Sequence, residues 1–176
     1  MAVEIRRVDP DRDAELLLEV DTSFETATVF DVHRQADGFT LVERSVDPPV
    51  TKAFPLEDRN DRRWDSAWLA LSGARPVGFV ATQLEAWNGR VIVWHLYVSH
   101  DQRGQGIGRR LLETALAAAQ EQGASRAWLE TSNLNVPGVR AYRRMGFELV
   151  GLDVSLYDNT AAEGETALFL ARSLPR

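Results

Sequence analysis

The stretch VIVWHLYVSHDQRGQGIGRRLLETALAAA, residues 91–119, decides the fold of this chain. Its first part, Val91 to Val98, is nearly continuous in β-branched and aromatic residues, as in a strand that is buried on both faces. A glycine-rich turn from Arg103 to Gly108 follows. The apolar residues after the turn recur at helical spacing; they are Leu111, Leu112, Ala115, Leu116 and Ala119. The stretch therefore predicts a strand, a glycine turn and an amphipathic helix in direct succession.

The glycine turn predicts a binding site for an anion. The first turn of a helix has backbone N–H groups without partners, and the helix dipole adds partial positive charge there. Gly104, Gly106 and Gly108 have no side chain that would keep an anion off the backbone, and Arg103 and Arg109 add positive charge. The spacing differs from the P-loop, since no Gly-Lys-Ser/Thr follows, and from Gly-x-Gly-x-x-Gly, since the third glycine comes one residue early.

Two segments resemble the GNAT superfamily of acetyltransferases. Arg103 to Gly108 matches its diphosphate-binding pattern Arg-x-x-Gly-x-Gly, and Asn135 to Phe147 is similar to its second cofactor segment, with Gly138 where the family usually has Ala. The resemblance implies a mixed α/β fold, flanked by helices, whose central sheet of about seven strands is splayed between the fourth and fifth core strands. It also implies acetyl-CoA as co-substrate.

The same resemblance implies roles for individual residues. Tyr142 is the general acid that protonates the departing thiolate. Backbone groups of Leu96 to Val98 pair with the pantetheine amides, and Asn135 contacts the pantetheine arm. The whole set of implied cofactor residues is Leu96, Tyr97, Val98, Arg103, Gly104, Gln105, Gly106, Ile107, Gly108, Arg109, Asn135 and Tyr142.

Length and composition indicate one globular domain over residues 1–176, with 44% hydrophobic and 26% charged residues. The absence of cysteine excludes a thiolate nucleophile, a disulfide scaffold and a Cys-based metal site, and we predict no metal. The formal charge of −6 argues against nucleic-acid binding and favours a cationic substrate. The first residues form no basic-then-apolar leader, and no apolar run approaches the roughly 20 residues that span a bilayer. We expect a cytoplasmic protein without a membrane partner.

Local signals predict further elements around the deciding stretch. Val3 to Val8 predicts a strand, and Asp9-Pro10 predicts the start of a helix that continues toward Phe24. Ser45 to Arg63 is rich in Pro, Asp and Arg and predicts a loop. Turns are predicted at Asp37-Gly38 and Asn88-Gly89. Strands are predicted at Ala67–Leu71, Val77–Trp87, Ala127–Thr131, Phe147–Tyr157 and Thr166–Leu170, and a second helix at Val136–Met145.

A closer resemblance is to the streptothricin acetyltransferases, and it covers most of the chain from Phe30 to Phe169. These enzymes acetylate an amine of the β-lysine moiety of streptothricin-type antibiotics. The resemblance therefore implies a small polycationic amine as substrate and antibiotic resistance as the role. It is carried by Phe30–His33, Gly38-Phe39, Arg44–Val46 with Pro48, Trp87-Asn88, His95, Val98–His100, Leu129–Thr131, Asn135–Pro137, Gly151, Asp153 and Glu165–Ala167.

This chain differs from that family at one position, and the identity of the general base is therefore open. In the middle of the predicted strand from Val91 to Val98, the family carries a Glu beside the histidine, and this chain has Trp94 there. His95 is a candidate for the base, with an ordinary pKa of about 6.5. The other possibility is an amine that binds neutral and loses its last proton to water.

Carboxylates and aromatic rings are the groups that would contact a cationic amine. We expect at least one of Asp31 and Asp153 to bind the ammonium group, although a carboxylate taken singly is more often a solvated surface acid. Tryptophan rings can hold a cation by cation–π attraction. The candidate substrate residues are Asp31, Glu85, Trp87, Trp94, Glu130 and Asp153.

Two other functions stay open at this point. The enzyme could acetylate a different amine, such as a polyamine, another aminoglycoside-like compound or a protein N-terminus. A non-catalytic acyl-CoA sensor would bind the cofactor without transferring the acetyl group, and it would be indifferent to Tyr142→Phe. Whether the protein is a monomer or a homodimer is also open.

Overall fold

The computed structural model describes residues 2–54 and 63–175. In this part of the chain no helix is both long and apolar enough to cross a bilayer. Its strands are β1 (Val3–Arg7), β2 (Phe24–Gln35), β3 (Gly38–Lys52), β4 (Ser66–Ser72), β5 (Arg75–Glu85), β6 (Arg90–Val98), β7 (Arg126–Ser132), β8 (Glu148–Asp153) and β9 (Ala167–Ser173). Its helices are α1 (Ala14–Leu18), α2 (Ile107–Glu121) and α3 (Val136–Arg144), and a 3₁₀ turn covers His100–Gln102.

Seven of the strands form one mixed sheet, in the order β1-β4-β5-β6-β7-β9-β8, and β2 pairs with β3 in a separate hairpin. The predicted mixed fold with about seven strands is thereby confirmed. The chain divides into two compact units. The first comprises the described residues of 1–23, 53–128 and 173–176, and the second comprises Phe24–Lys52 and Leu129–Arg172. The expectation of a single domain over the whole chain stays a prediction.

In the first unit, α2 packs on β4, β5 and β6. Gly78 on β5 permits the close approach, because a Cβ there would lie 2.9 Å from Leu111 Cδ1 and 3.0 Å from the carbonyl oxygen of Tyr97. The predicted apolar face of the helix is the buried one; it consists of Ile107, Leu111, Leu112, Ala115, Leu116 and Ala119. This packing holds the N-terminus of α2 beside the end of β6.

Helix α1 is shorter than predicted and starts later. It spans Ala14–Leu18 with Asp13 at its N-cap, whereas the sequence predicted a helix from Asp9 to Phe24. The Asp13 carboxylate accepts hydrogen bonds from the Arg6 guanidinium at 2.6 and 2.8 Å and from the backbone N–H of Asp9 at 2.8 Å. These side-chain bonds hold residues 9–13 in turns, because they compete with helical hydrogen bonding.

The predicted turn at Asn88-Gly89 joins β5 to β6, and Gly89 has a positive φ of 64°. The Gly89 carbonyl oxygen accepts hydrogen bonds from the N–H groups of Ser125, at 2.8 Å, and Arg126, at 3.3 Å, so the turn is tied to the start of β7. Strand β6 pairs with β7 in parallel over Arg90–Ile92 and Arg126–Trp128. This short pairing agrees with the predicted separation of the fourth and fifth core strands.

In the second unit, β2 and β3 form a hairpin whose turn follows Gln35, as Asp37-Gly38 predicted. The predicted loop was wrong over Ser45–Lys52, which continues β3, while residues 55–62 lie outside the described part of the chain. The two prolines that suggested a loop fall between the pairs Thr28–Ser45 and Thr26–Val50, where the register shifts. Proline is tolerated at such an irregularity because no ladder hydrogen bond is lost.

Asn133 connects three segments of the second unit. It is buried, its side-chain amide donates to the Phe30 carbonyl at 2.7 Å, and its side-chain oxygen accepts from the Thr166 N–H at 2.8 Å. Its backbone completes the connection by accepting from the Phe30 N–H at 3.0 Å and donating to Thr166 at 2.9 Å. The hairpin is therefore held against the end of β7 and the start of β9.

Candidate active site

The turn between β6 and α2, which we call the diphosphate loop (Arg103–Gly108), has the geometry that an anion requires. Gly104 and Gly106 have φ values of 78° and 79°, which L-residues with a side chain rarely adopt. Gly106 is the N-cap of α2 and offers no side-chain cap to the first-turn N–H groups. A Cβ placed on Gly104 or Gly106 would meet nothing within 4 Å, so no described protein atom crowds the loop on that side of these glycines. An anion can therefore reach them.

The side chains of the diphosphate loop differ in what they can contribute. Ile107 is buried in the core under α2, so only its backbone N–H can face a ligand. Gln105 and Arg109 are exposed. Arg103 turns back onto the protein: its Nε donates to the Val98 carbonyl at 2.8 Å, and its guanidinium also donates to the carbonyl of Ser23. Arg103 therefore shapes the loop, in addition to bringing charge to it.

Strand β6 supplies backbone groups beside the loop. Leu96, Tyr97 and Val98 pair with β5 in antiparallel register. In such a ladder, alternate residues turn their N–H and C=O groups away from the partner strand. These outward groups are the ones that the resemblance assigns to the pantetheine amides.

A β-bulge interrupts β6 at Trp94. Ala81 pairs with His95 and Thr82 with Val93, so Trp94 is the extra residue. Its indole N–H donates to Gln83 Oε1 at 3.0 Å, and the Arg63 guanidinium lies 5.4 Å from its ring centroid. The ring of Trp94 therefore already has a protein cation near it.

His95 is a weaker base than the sequence suggested. Its ring is half-buried, with ring centroids 6.0 Å from Phe79 and 5.7 Å from Tyr97, and its Nδ1 lies 3.4 Å from the Tyr97 hydroxyl. Burial lowers the pKa of His95 to about 4. The imidazole is therefore neutral at pH 7 but holds an added proton poorly, which argues against His95 as the group that removes a proton from an ammonium.

Two predicted substrate residues lie at the far end of β6. Trp87 is 84% exposed in the turn before Arg90, and the Glu85 carboxylate accepts a hydrogen bond from the Asn88 amide at 3.2 Å in the same turn. At about 3.3 Å per residue, Arg90 and Val98 are separated by roughly 26 Å along the strand. The predicted roles of Trp87 and Glu85 in substrate binding find no support in this position.

In the second unit, Asn135 is the N-cap of α3. Its side-chain oxygen accepts from the Gly138 N–H at 3.0 Å, and its side-chain nitrogen donates to Thr131 Oγ1 at 3.0 Å. A Cβ on Gly138 would lie 2.4 Å from that nitrogen, so glycine is what allows the cap to form. The amide predicted to contact pantetheine thus has both of its ends engaged within α3 and β7.

Tyr142 lies on α3, half-buried and edge-on to Phe147 with ring centroids 5.7 Å apart. Burial, and secondly the negative charge of Glu130, raise the pKa of Tyr142 well above its ordinary value. The hydroxyl therefore stays protonated at every physiological pH. This is the state that a proton donor to a departing thiolate requires.

A group of polar side chains, which we call the Glu130 cluster (Lys52, Glu130, Ser132, Tyr157 and Glu165), surrounds the carboxylate that acts on Tyr142. The Tyr157 hydroxyl donates to Glu130 Oε1. Lys52 Nζ lies 2.6 and 2.5 Å from the two Glu165 oxygens, and Ser132 also donates to Glu165. The Glu130 residue is exposed, but partial desolvation of its carboxylate raises its pKa, whereas the Tyr157 hydrogen bond and the Lys52 charge lower it.

Most of the Glu130 cluster was missed by sequence reasoning. Glu130 was a predicted substrate residue, and Glu165 stood in a segment that resembles the streptothricin acetyltransferases. Lys52 carried no signal, because it ends a strand that was predicted to be loop. Among the described residues there is no group of three or more His, Asp and Glu side chains arranged to hold a metal ion.

The other two predicted carboxylates have partners of their own. Asp31 forms a two-point ion pair with Arg44 across the hairpin, at 2.6 and 3.1 Å, and this hydrogen bonding lowers the pKa of Asp31. Asp153 accepts from the N–H and the hydroxyl of Ser155, both at 2.8 Å, which lowers its pKa as well. Each is already neutralised or hydrogen-bonded within its own hairpin or turn.

A glycine loop that opens a helix, beside a strand with outward-facing amides, is suited to an acyl carrier that has a diphosphate and a pantetheine arm. The family model for the acetyltransferase (GNAT) family matches residues 34–147, and the chain belongs to this family. It is an acetyl-CoA-dependent N-acetyltransferase. The open, positive end of α2 fits the diphosphate of that co-substrate.

Individual relatives agree with this assignment. A streptothricin acetyltransferase of Streptomyces lavendulae is 42% identical over 93% of this chain and 91% of its own length. One of Escherichia coli is 34% identical over 92% of this chain and 91% of its own length. The crystal structure of nourseothricin acetyltransferase matches with a TM-score of 0.90 at 43% identity and covers 99% of this chain and 100% of that chain.

A structure from Bacillus anthracis in complex with acetyl coenzyme A shares the fold. Its TM-score is 0.82 at 23% identity, and the match covers 99% of this chain and 100% of that chain. The predicted recognition, fold, enzyme class and co-substrate are thereby confirmed.

Proposed function

We propose that this enzyme transfers the acetyl group of acetyl-CoA to an amine of a streptothricin-type antibiotic and so confers resistance to it. The observation that carries the proposal is the near full-length identity of 42% to the streptothricin acetyltransferase of Streptomyces lavendulae. A polycationic acceptor also suits a chain with a formal charge of −6. We place the reaction in the cytoplasm, where acetyl-CoA is produced.

The described residues divide the chemistry among them. The diphosphate loop and the N-terminus of α2 bind the diphosphate, and β6 aligns the pantetheine arm. The neutral amine attacks the thioester carbonyl, a C–N bond forms, and the C–S bond breaks. The Tyr142 hydroxyl gives its proton to the departing sulfur, and the amide nitrogen then gives up a proton that restores the tyrosine.

Glu130 is the acceptor for the proton that the ammonium group must lose before it attacks. Its carboxylate is in the same unit as Tyr142, and after burial its negative charge is the second cause that raises the pKa of that tyrosine. A carboxylate whose pKa is raised by partial desolvation is a better base than a fully solvated one. Glu130 is therefore a better candidate for the general base than His95. The resembled family has a Glu at the position of Trp94, and this chain lacks it.

The test is release of free coenzyme A, followed by thiol detection, with a panel of acceptors. Streptothricin or nourseothricin is expected to support turnover well above lysine and spermidine, and the product should carry one added acetyl group by mass spectrometry. Turnover with another panel member alone would retain the enzyme class and reject the antibiotic. Cofactor binding without turnover on any amine would instead favour a sensor.

A further inference from the structure

The segment that follows α1 contacts the connection between β6 and the diphosphate loop. Asp21 Oδ2 accepts a hydrogen bond from the backbone N–H of His100 at 3.2 Å. Its Oδ1 accepts from the N–H and the hydroxyl of Ser23, at 2.9 and 2.6 Å. One half-buried carboxylate therefore joins residues 21–23 to the turn that leads into the loop.

Arg103 closes the arrangement from the other side. Its guanidinium donates to the Ser23 carbonyl and to the Val98 carbonyl, the latter at 2.8 Å. The first residue of the diphosphate loop is thus clamped between the end of β6 and the segment that Asp21 organises. The charge of Arg103 also acts on Asp21 and is one of the causes that lower the pKa of Asp21.

We propose that Asp21 is a positioning residue for the diphosphate loop, acting through Ser23, His100 and Arg103. The inference rests on the diphosphate site described above and does not depend on which amine is acetylated. Helix N–H groups bind an anion only when the loop before them has the right path, so a loosened clamp weakens that contact. The negative charge of Asp21 opposes the anion only modestly, because the neighbouring positive charge of Arg103 acts on it and offsets it.

The discriminating experiment compares two acetyl donors. Acetyl-CoA contains the diphosphate, whereas S-acetylpantetheine lacks it and retains the pantetheine arm. Asp21→Asn should raise the KM for acetyl-CoA about tenfold, on the scale of one hydrogen bond to a charged group, with kcat nearly unchanged. With S-acetylpantetheine, the same variant should equal the wild type.

Asp101→Asn is the matched control, because Asp101 lies in the same connection but pairs with Arg75 at the surface, at 2.8 Å. It should stay within about twofold of the wild type with both donors, as expected for an exposed ion pair. Ser23→Ala, which removes only the hydroxyl contact, serves as the second variant if Asp21→Asn does not fold. It should show the same donor selectivity at smaller amplitude.

Calorimetry of coenzyme A binding, which needs no acceptor, separates the possible failures. If the wild-type protein does not bind coenzyme A, the proposed diphosphate site itself is wrong. A wild type that binds, together with an Asp21→Asn variant that binds equally or more tightly, rejects the role of Asp21 alone. Equal losses with both donors would show a general structural role and would also overturn the proposal.

Discussion

Tyr142 and Glu130 belong to the same compact unit. Burial raises the pKa of the Tyr142 hydroxyl, and the negative charge of Glu130 raises it further. The hydroxyl is kept protonated by burial, while the carboxylate is held by the Tyr157 hydroxyl and influenced by Lys52. One group can give a proton and the other can take one. These two opposite requirements are what an amine-to-thioester transfer asks of its side chains.

Removing the Tyr142 hydroxyl should slow the reaction without disturbing the fold. Tyr142→Phe keeps the contact with Phe147, so we expect kcat to fall by about 10- to 100-fold, toward the low end of general-acid effects because a thiolate leaves easily. The KM for acetyl-CoA and the melting temperature should change little. Steady-state kinetics checks this, and an unchanged kcat would remove Tyr142 from the mechanism.

The acid limb of the pH dependence of kcat/KM should report the pKa of Glu130. A carboxylate that must be ionised to accept a proton loses activity as the pH falls through its pKa, and partial desolvation raises that pKa in Glu130. Lys52→Met removes a cation that lowers the Glu130 pKa, so the acid limb should move to higher pH. Arg140→Met, which breaks the exposed Arg140–Glu43 pair in the same unit, is the control and should leave the limb in place. A limb that does not move with Lys52→Met contradicts the assignment.

Asp31 is expected to be dispensable for substrate binding. Its carboxylate already forms a two-point ion pair with Arg44, so little of its charge is available to a second cation. Asp31→Asn should change the KM for a cationic amine by less than about twofold. Glu130→Gln, measured in parallel, should lower kcat/KM far more. A large rise in KM for Asp31→Asn alone would restore the role that the sequence predicted.

At the scale of elements, the start of α3 depends on a glycine inside the helix. Gly138→Ala would ordinarily stabilise a helix, but here the new Cβ would lie 2.4 Å from the Asn135 side chain. We expect the cap to be lost, with a decrease of about 1 kcal/mol in the free energy of unfolding and roughly 2–4 °C in Tm. On an Asn135→Ala background the same change should become neutral or stabilising. A thermal-melt double-mutant cycle measures this reversal of sign.

Periodicity and turn chemistry predicted the elements that a short window contains. The strand, glycine loop and helix over residues 91–119 need only local signals, and the structure has them as β6, the diphosphate loop and α2. Ser45–Lys52 could not be predicted as strand, because its partner is Phe24–Thr28 and its own sequence contains two prolines. The helix predicted from Asp9 failed for another reason: hydrogen bonds from the Arg6 side chain and the Asp9 N–H to the Asp13 carboxylate set the conformation of residues 9–13, and hydrophobic periodicity does not detect such bonds.

In the candidate site, too, features with a local sequence signal were predicted, and those that depend on other segments of the chain were missed. Residues of a contiguous motif, such as Gly104 and Gly106, could be named as candidates from their spacing, and their role in binding stays a prediction. Lys52 and Tyr157 could not, because each reaches the Glu130 cluster from a separate segment of the chain. Their side chains meet only after the second unit has folded.

For the molecule as a whole, cofactor binding should raise stability. A ligand that binds only the folded chain adds about 2.7 kcal/mol at a concentration of 100 times its Kd. Coenzyme A should therefore raise the Tm in a concentration-dependent way, and pantetheine, which lacks the diphosphate, should raise it much less at equal concentration. Scanning calorimetry compares the two, and equal shifts would show that the diphosphate contributes nothing.

The hydrogen bonds from Ser125 and Arg126 to Gly89 have a practical consequence for engineering. The two exposed hairpin tips look equivalent as places to insert a tag or attach a fluorophore, but lengthening the one at Asn88-Gly89 would displace the first residues of a neighbouring strand. The tip at Ala36-Asp37 is exposed, and a Cβ at the adjacent Gly38 would meet nothing within 4 Å. Labels and affinity handles therefore belong there.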